Sequence, residues 1–213
     1  FAAPILQRLS NKPASGHPIR ALILTPTREL AIQIGESFEH YGRHLALRCA
    51  VIFGGVGQAP QVEKLGKGVD ILVATPGRLG DLYQQGFIHL NDLEIFVLDE
   101  ADRMLDMGFI DEVKNILSLV PENCRISLFS ATLGPEIREL ADAFIPDRIL
   151  VLQEPTKEQT AAITEKVYFT DQERKYGDFL KVLINENPKS CMIFCGTREM
   201  TNVLFQKLRH GLL

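Results

Sequence analysis

The sequence contains no apolar run long enough to cross a bilayer and no signal-peptide pattern, so these 213 residues hold no candidate membrane-spanning helix. It has no initiator methionine. It opens Phe1-Ala2-Ala3-Pro4, and a cut end with natural sequence upstream is expected. Positive charge is not in excess: 23 Lys and Arg face 27 Asp and Glu, for a net charge of −4. That balance argues against a broad basic nucleic-acid footprint, and any such site must be local, built from a few arginines and backbone amides. Cysteine is sparse. Cys49, Cys124, Cys191 and Cys195 sit singly inside apolar runs, the pattern of buried core thiols in a reducing cytoplasm. Cys191 and Cys195 flank a strand-like run of roughly 13 Å, too long for them to share a zinc ion. His40 and His44 have i,i+4 spacing but lack a third ligand nearby, which favours a solvated helix face over a metal site.

What is present is ordinary globular composition, 46% hydrophobic and 23% charged. The length suits one domain with a sizeable core, or one domain plus part of another. A helix is expected over 1–10, where Ile5, Leu6 and Leu9 share a face, followed by a Pro- and Gly-containing loop over 11–18. Apolar runs predict strands at 21–24, 47–53, 69–74, 95–98, 126–129 and 148–152. Helices are predicted between them, to about residue 44 and over 61–65, 100–105, 110–119 and 135–144. Such alternation implies a parallel sheet with right-handed crossovers. The polar stretch 154–162 reads as a linker, and a new unit opens with the apolar stretch 163–169, followed by a helix near 172–184 and a strand at 191–195.

Two stretches carry one device. Thr25-Pro26-Thr27-Arg28 and Thr75-Pro76-Gly77-Arg78 each place a Thr cap, a Pro at the first helical position and an Arg after a strand end. A helix start offers unpaired amides to an anion, and Arg adds a bidentate phosphate grip. Gly54-Gly55, at another strand end, would let a nucleic-acid backbone approach closely. Either copy alone favours an ordinary capped helix with a solvated Arg. The pair favours phosphate binding.

The run Ile95-Phe96-Val97-Leu98 leads straight into Asp99, Glu100 and Asp102. Carboxylates at the carboxyl end of a buried parallel strand stand where open α/β sheets bind ligands, and can hold Mg²⁺ or position a water. The alternative is an acidic helix start with Asp99 as its cap, and four residues alone favour that alternative.

Asp99-Glu100-Ala101-Asp102 spells DEAD. With Pro26 to Ala31 (PTRELA), Gly54-Gly55, Thr75 to Arg78 (TPGR) and Ser130-Ala131-Thr132 (SAT), the chain resembles the DEAD-box ATP-dependent RNA helicases, with Val97 to Phe109 similar to the bacterial RhlE-type members. The resemblance implies a RecA-like, doubly wound α/β sheet of the P-loop NTPase type in 1–153, and the start of a second RecA-like domain in 163–213. It implies ATP, Mg²⁺ and RNA as ligands, and partners in ribosome assembly or RNA decay. It assigns Asp99 to Mg²⁺ through water, Glu100 to the attacking water, and Asp102, Ser130 and Thr132 to coupling nucleotide state to RNA. It assigns Thr27, Arg28, Gly54, Gly55, Thr75, Gly77, Arg78, Gly196 and Thr197 to the RNA backbone.

One departure matters. The family's phosphate loop, Gly-x-x-x-x-Gly-Lys-Ser/Thr, is absent, since no Gly-Lys-Ser/Thr occurs in these residues. The amides and Lys that cradle the β- and γ-phosphates are therefore missing, with the strand that the family places centrally in the sheet. These 213 residues alone are expected to be an inactive α/β module with weak, sequence-independent RNA affinity, poorly stable or prone to associate.

Overall fold

Five short apolar runs form one parallel sheet. β1 (Ala21–Leu24), β2 (Cys49–Ile52), β3 (Ile71–Ala74), β4 (Ile95–Leu98) and β5 (Arg125–Leu128) pair in the order β2-β3-β1-β4-β5. The computed structural model describes residues 1–12, 14–152 and 164–211, and the chain divides into two units, Phe1–Val151 and Leu152–Leu213.

The three inner strands, β1, β3 and β4, are buried at every position because helices cover both faces. Alternate side chains serve the two layers. Ala21, Ile23, Ile71, Val73, Ile95 and Val97 pack with α1 (Ala2–Ser10) and α2 (Arg28–Gly42). Leu22, Leu24, Leu72, Ala74, Phe96 and Leu98 pack with α4 (Pro76–Gln84), α6 (Ile110–Leu117) and α7 (Pro135–Phe144). Two short helices, α3 (Ala59–Gly66) and α5 (Ala101–Asp106), follow β2 and β4. Gly35 lets α2 lie close on β2: a Cβ there would come within 2.3 Å of a Val51 methyl.

The amino edge of the sheet is closed by satisfied charges. The side chain of Arg20 is 4% exposed, and its Nε donates to Glu94 Oε1 at 2.7 Å. Its Nη1 donates to Leu9 O at the end of α1. Buried Asp70 faces His17 Nδ1 at 2.7 Å and accepts from the Arg48 amide at 2.8 Å.

The periphery departs from the sequence reading. Residues 148–152 form no strand, and Ile149 is 91% exposed. A strand exists only through a paired neighbour, and β5, the edge strand nearest in sequence, bonds only to β4. In the second unit α8 (Lys175–Glu186) and α9 (Arg198–Gly211) form, but 164–170 and 191–195 are unpaired and not strands. The expected linker 154–162 and Ile163 lie outside the described residues. The thiols are less buried than their apolar runs suggest. Cys191 is exposed and the other three are half-buried, because the run 191–195 lacks a layer to cover it. Desolvation still pushes Cys49 and Cys124 up to about 12, so neither is a reactive thiolate. His40 and His44 are exposed on the surface, and no cluster of three His, Cys, Asp or Glu suited to a metal occurs among the described residues. Nor is any helix among them long and apolar enough to cross a membrane.

Candidate functional site

The carboxyl edge of the sheet brings together segments that are distant in sequence. β1 and β3 are neighbours, so the loops after Leu24 and Ala74 lie side by side. β2 adds the loop after Ile52. Arg28, Gly54, Thr75, Gly77 and Arg78 line one cavity of about 440 Å³, together with Pro26, Phe53 and Phe109.

The two Thr-Pro-x-Arg copies fold differently. Thr25 does not cap α2. It is fully buried, and its amide extends the strand ladder by donating to Ala74 O. Thr27 is the cap, accepting from the Leu30 amide at 3.3 Å, and Arg28 is the first helical residue. In the second copy Thr75 is the N-cap and Pro76 the first helical residue, as the sequence predicts, but Thr75 makes no side-chain cap bond. Pro76 has no N–H, so the start of α4 leaves two amides free, Gly77 and Arg78, as the start of α2 leaves Arg28 and Glu29, but α4 has no acidic residue in its first turn, whereas α2 has Glu29. The closer match to Thr27-Arg28-Glu29 is Thr197-Arg198-Glu199, where Thr197 accepts from the Met200 amide at 3.1 Å and Arg198 opens α9. Gly196 and Thr197 belong to the second unit.

The arginines are held in different ways. The exposed Arg28 guanidinium lies 5.0 Å from the centre of the Phe53 ring, a cation–π contact that leaves its N–H edges free. The Arg78 side chain is 11% exposed. Its Nη2 donates to Val56 O at 3.0 Å, its Nε stands 3.8 Å from Asp81 Oδ2, and its Nη1 is buried without a partner. Gly55 has φ +78°, which glycine adopts at no steric cost. Gly54 and Gly77 do not have such a φ, and a Cβ on either would meet nothing within 4 Å. The fold does not need glycine at those two positions, whereas a backbone or phosphate lying against them would.

The acidic cluster sits at the ends of β4 and β5. Asp99 is not a helix cap. The residue before α5 is Glu100, in the left-handed region at φ 50°, ψ 50°, where its side chain makes no cap bond. Asp99 Oδ1 accepts only from the Glu100 amide, at 3.1 Å. Desolvation raises the Asp99 carboxyl above its ordinary range, the amide bond partly offsets this, and the neighbouring Glu100 charge adds to the rise. A half-desolvated carboxylate with a free oxygen and no second carboxylate ligand suits a hard cation that keeps its waters, and magnesium fits that donor set. Glu100 Oε2 is buried with no hydrogen-bond partner, and Arg103 Nη1 stands 3.6 Å away.

Asp102 is the best-bonded of the three carboxylates. Its Oδ2 accepts from the Thr132 amide at 2.8 Å and the Thr132 hydroxyl at 2.9 Å, and its Oδ1 from the Arg103 amide. Ser130 Oγ accepts from the Asp102 amide and donates to Thr132 O at 2.7 Å. Desolvation pushes the Asp102 carboxyl up, but the bonds from Thr132, Arg103 and Ser130 outweigh it and hold it below its ordinary range. These bonds tie the β5 end to α5.

Sequence reasoning missed Phe53, Phe109 and Gln61. Phe53 had one signal, an aromatic residue directly before a Gly-Gly pair. Gln61 had none, since nothing in Ala59 to Gly66 marks which polar side chain turns inward.

Such an edge, with a cavity lined by two arginines and a carboxylate cluster on one parallel sheet, belongs to a doubly wound α/β domain. The chain belongs to the DEAD/DEAH box helicase family, whose description matches residues 1–140. It is 35% identical over 208 residues to the DEAD-box ATP-dependent RNA helicase RhpA of Helicobacter pylori, covering 98% of this chain and 42% of that protein. It is 39% identical over 222 residues to the ATP-dependent RNA helicase RhlB of Xanthomonas oryzae, covering 99% and 38%. Among solved structures, a DEAD box protein from the hyperthermophile Methanococcus jannaschii superposes with a TM-score of 0.67 at 33% identity, covering 99% of this chain and 55% of that one. The chain spans less than half the length of these curated relatives.

Proposed function

We propose that these residues form the RNA-gripping and water-activating face of an ATP-dependent RNA helicase. One observation carries the reading. Among the described residues, four buried side-chain polar atoms lack a hydrogen-bond partner, and three of them, on Thr25, Arg78 and Glu100, lie at the carboxyl edge, with Arg103 Nη1 3.6 Å from the Glu100 atom. Buried polar groups are normally satisfied, so orphans gathered on one edge are groups awaiting a ligand.

Arg28 and Arg78 would bind successive phosphates of the RNA backbone, with the free amides of the α4 start beside them. Gly54, Gly55 and Gly77 would lie against the strand, and Thr27 and Thr75 set the two helix starts. In the second unit, Gly196 and Thr197 would offer one further backbone contact. All of these contacts read charge and spacing, so binding would be indifferent to base sequence. At the other end of the edge, Asp99 would hold Mg²⁺ through water, and that ion would supply charge neutralisation beside the phosphates of ATP. Glu100 would orient the attacking water and take its proton on Oε2. Asp102, bonded to Ser130 and Thr132, would keep the β5 end and α5 moving as one body, the coupling between the two halves of the edge.

No described residue supplies a lysine and amide cradle for terminal phosphates, so the 213 residues themselves would bind RNA weakly and turn over no ATP. Four free cysteines suit a reducing, cytoplasmic setting.

Titrating a labelled single-stranded RNA at several KCl concentrations tests the reading. Salt-dependent binding that Arg28→Ala plus Arg78→Ala removes is expected. Binding untouched by both changes would sink it. In parallel, release of inorganic phosphate from ATP by the purified chain would contradict the assignment of no turnover.

A further inference from the structure

Gln61 is a buried polar residue at the carboxyl edge that the RNA and ATP assignments leave unused. It sits on α3, is 8% exposed, and aims its amide at the loop after β2. Its Oε1 accepts from the Phe53 amide at 3.0 Å, while its Nε2 donates to Phe53 O at 3.2 Å and to Gly57 O at 3.4 Å. One side-chain amide thus does for Phe53 what a neighbouring strand's peptide would do, at the point where β2 ends. Both ends of the 53–57 loop are pinned to the same side chain.

That loop in turn holds both arginines. Its first residue presents the ring under the Arg28 guanidinium. Its fourth, Val56, presents the carbonyl that accepts from Arg78 Nη2. Arg28 is the first residue of α2, and Arg78 lies in the first turn of α4. The loop is therefore the shared contact between two cations mounted on separate helices.

We propose that Phe53 and Gln61 are positioning residues: Gln61 fixes the shape of the 53–57 loop, and the loop sets the spacing of Arg28 and Arg78 to that of phosphates along a nucleic-acid backbone. The inference rests on the RNA reading for its ligand, but its geometric core concerns the free protein. A flexible exposed Arg loses side-chain entropy on binding, and one already laid on a ring loses less.

The first arm of the test needs no RNA. In ¹H–¹⁵N spectra of the 213-residue chain, the Arg28 Nε–Hε resonance is expected to carry a ring-current shift. Phe53→Leu should remove that shift and Phe53→Tyr should restore it. Gln61→Met, which keeps length and apolar bulk but loses the amide, should move the Arg28 and Arg78 signals together. An Arg28 signal indifferent to Phe53→Leu, or a Gln61→Met spectrum with both arginines unmoved, overturns the proposal.

The second arm is a double-mutant cycle on single-stranded RNA binding. Phe53→Leu should weaken binding by about two- to five-fold, the equivalent of one exposed cation–π contact. It should do nothing further once Arg28 is Ala. An equal loss in both backgrounds means the ring acts on RNA or on the fold, not through Arg28, and the proposal fails. Were the parent chain not to bind RNA at all, the proposed function would fall, while the spectra alone would still decide the positioning.

Discussion

The two edges of the sheet use the same kinds of side chain to opposite ends. At the amino edge Arg20 pairs with Glu94 and Leu9 O, and Asp70 with His17 and the Arg48 amide. At the carboxyl edge Arg78 Nη1 and Glu100 Oε2 are buried without a hydrogen bond, and Glu100 Oε2 has only the Arg103 guanidinium at 3.6 Å. A buried polar or charged group left without a hydrogen bond costs stability, so it persists where something other than stability requires it. The open edge carries the chemistry proposed above for this chain, and the closed edge anchors the strands that present it.

That contrast can be broken in five ways, taken from the largest expected effect down. In a form of the chain extended by a phosphate-binding loop, Glu100→Gln should lower ATP turnover by roughly 10²–10⁴-fold, the loss of a general base, with little change in melting temperature. Undiminished RNA-stimulated turnover would remove Glu100 from the open edge's chemistry. Arg28→Ala with Arg78→Ala should weaken RNA binding on the order of 10- to 100-fold, and reduce the slope of log affinity against log salt by about 1.4, two phosphates' worth on a single strand.

At the closed edge, Asp70→Ala should cost about 2–4 kcal/mol of stability in urea unfolding, because it strands the Arg48 amide and the His17 ring. RNA affinity of the folded protein should not change. A loss of RNA affinity at constant stability would show that the edges are not separate.

Asp102 gives the pH dependence. Its carboxyl is held below the ordinary range in the folded chain, so its stabilising effect is present above that range and is lost as pH falls through the lowered folded value. The stability gap between the parent and Asp102→Asn should therefore shrink below about pH 4, as measured by urea midpoints at pH 7, 5 and 3.5. A gap constant with pH would mean that the bonds to Thr132 and Ser130 do not favour the ionised form.

The smallest effect concerns backbone strain. Glu100 and Gly55 share positive φ at this edge. Glu100→Gly should raise stability, by less than about 1 kcal/mol after glycine's own entropy cost. Gly55→Ala should lower it by about 1 kcal/mol. Opposite signs by thermal melting would sharpen the view that Glu100 is held in strain for function, and equal signs would dismiss it.

Much of this was legible in the chain. The runs at 21–24, 71–74 and 95–98 are strands because four consecutive apolar residues need cover on both faces, and only a sheet with helices above and below supplies it. The arginine pocket was legible as motif residues at strand ends. Its floor was not. Phe53 reads as the last residue of a strand, and Phe109 falls between two expected helices. The runs at 148–152 and 191–195 read as strands from composition, but lie unpaired. Composition states a need for burial and cannot state that a partner is present.

The amino-acid sequence by itself determined the alternation of strand and helix, the membership in the helicase family and the residues proposed to meet polyanions. These follow from local periodicity and from short motifs whose chemistry lies within a few residues. Only the tertiary structure decided that Thr27, not Thr25, caps α2 and that Asp99 leaves the capping position to Glu100. Each of those depends on a hydrogen bond either won or lost in competition with a strand, loop or helix distant in sequence, and no local pattern records which partner prevails.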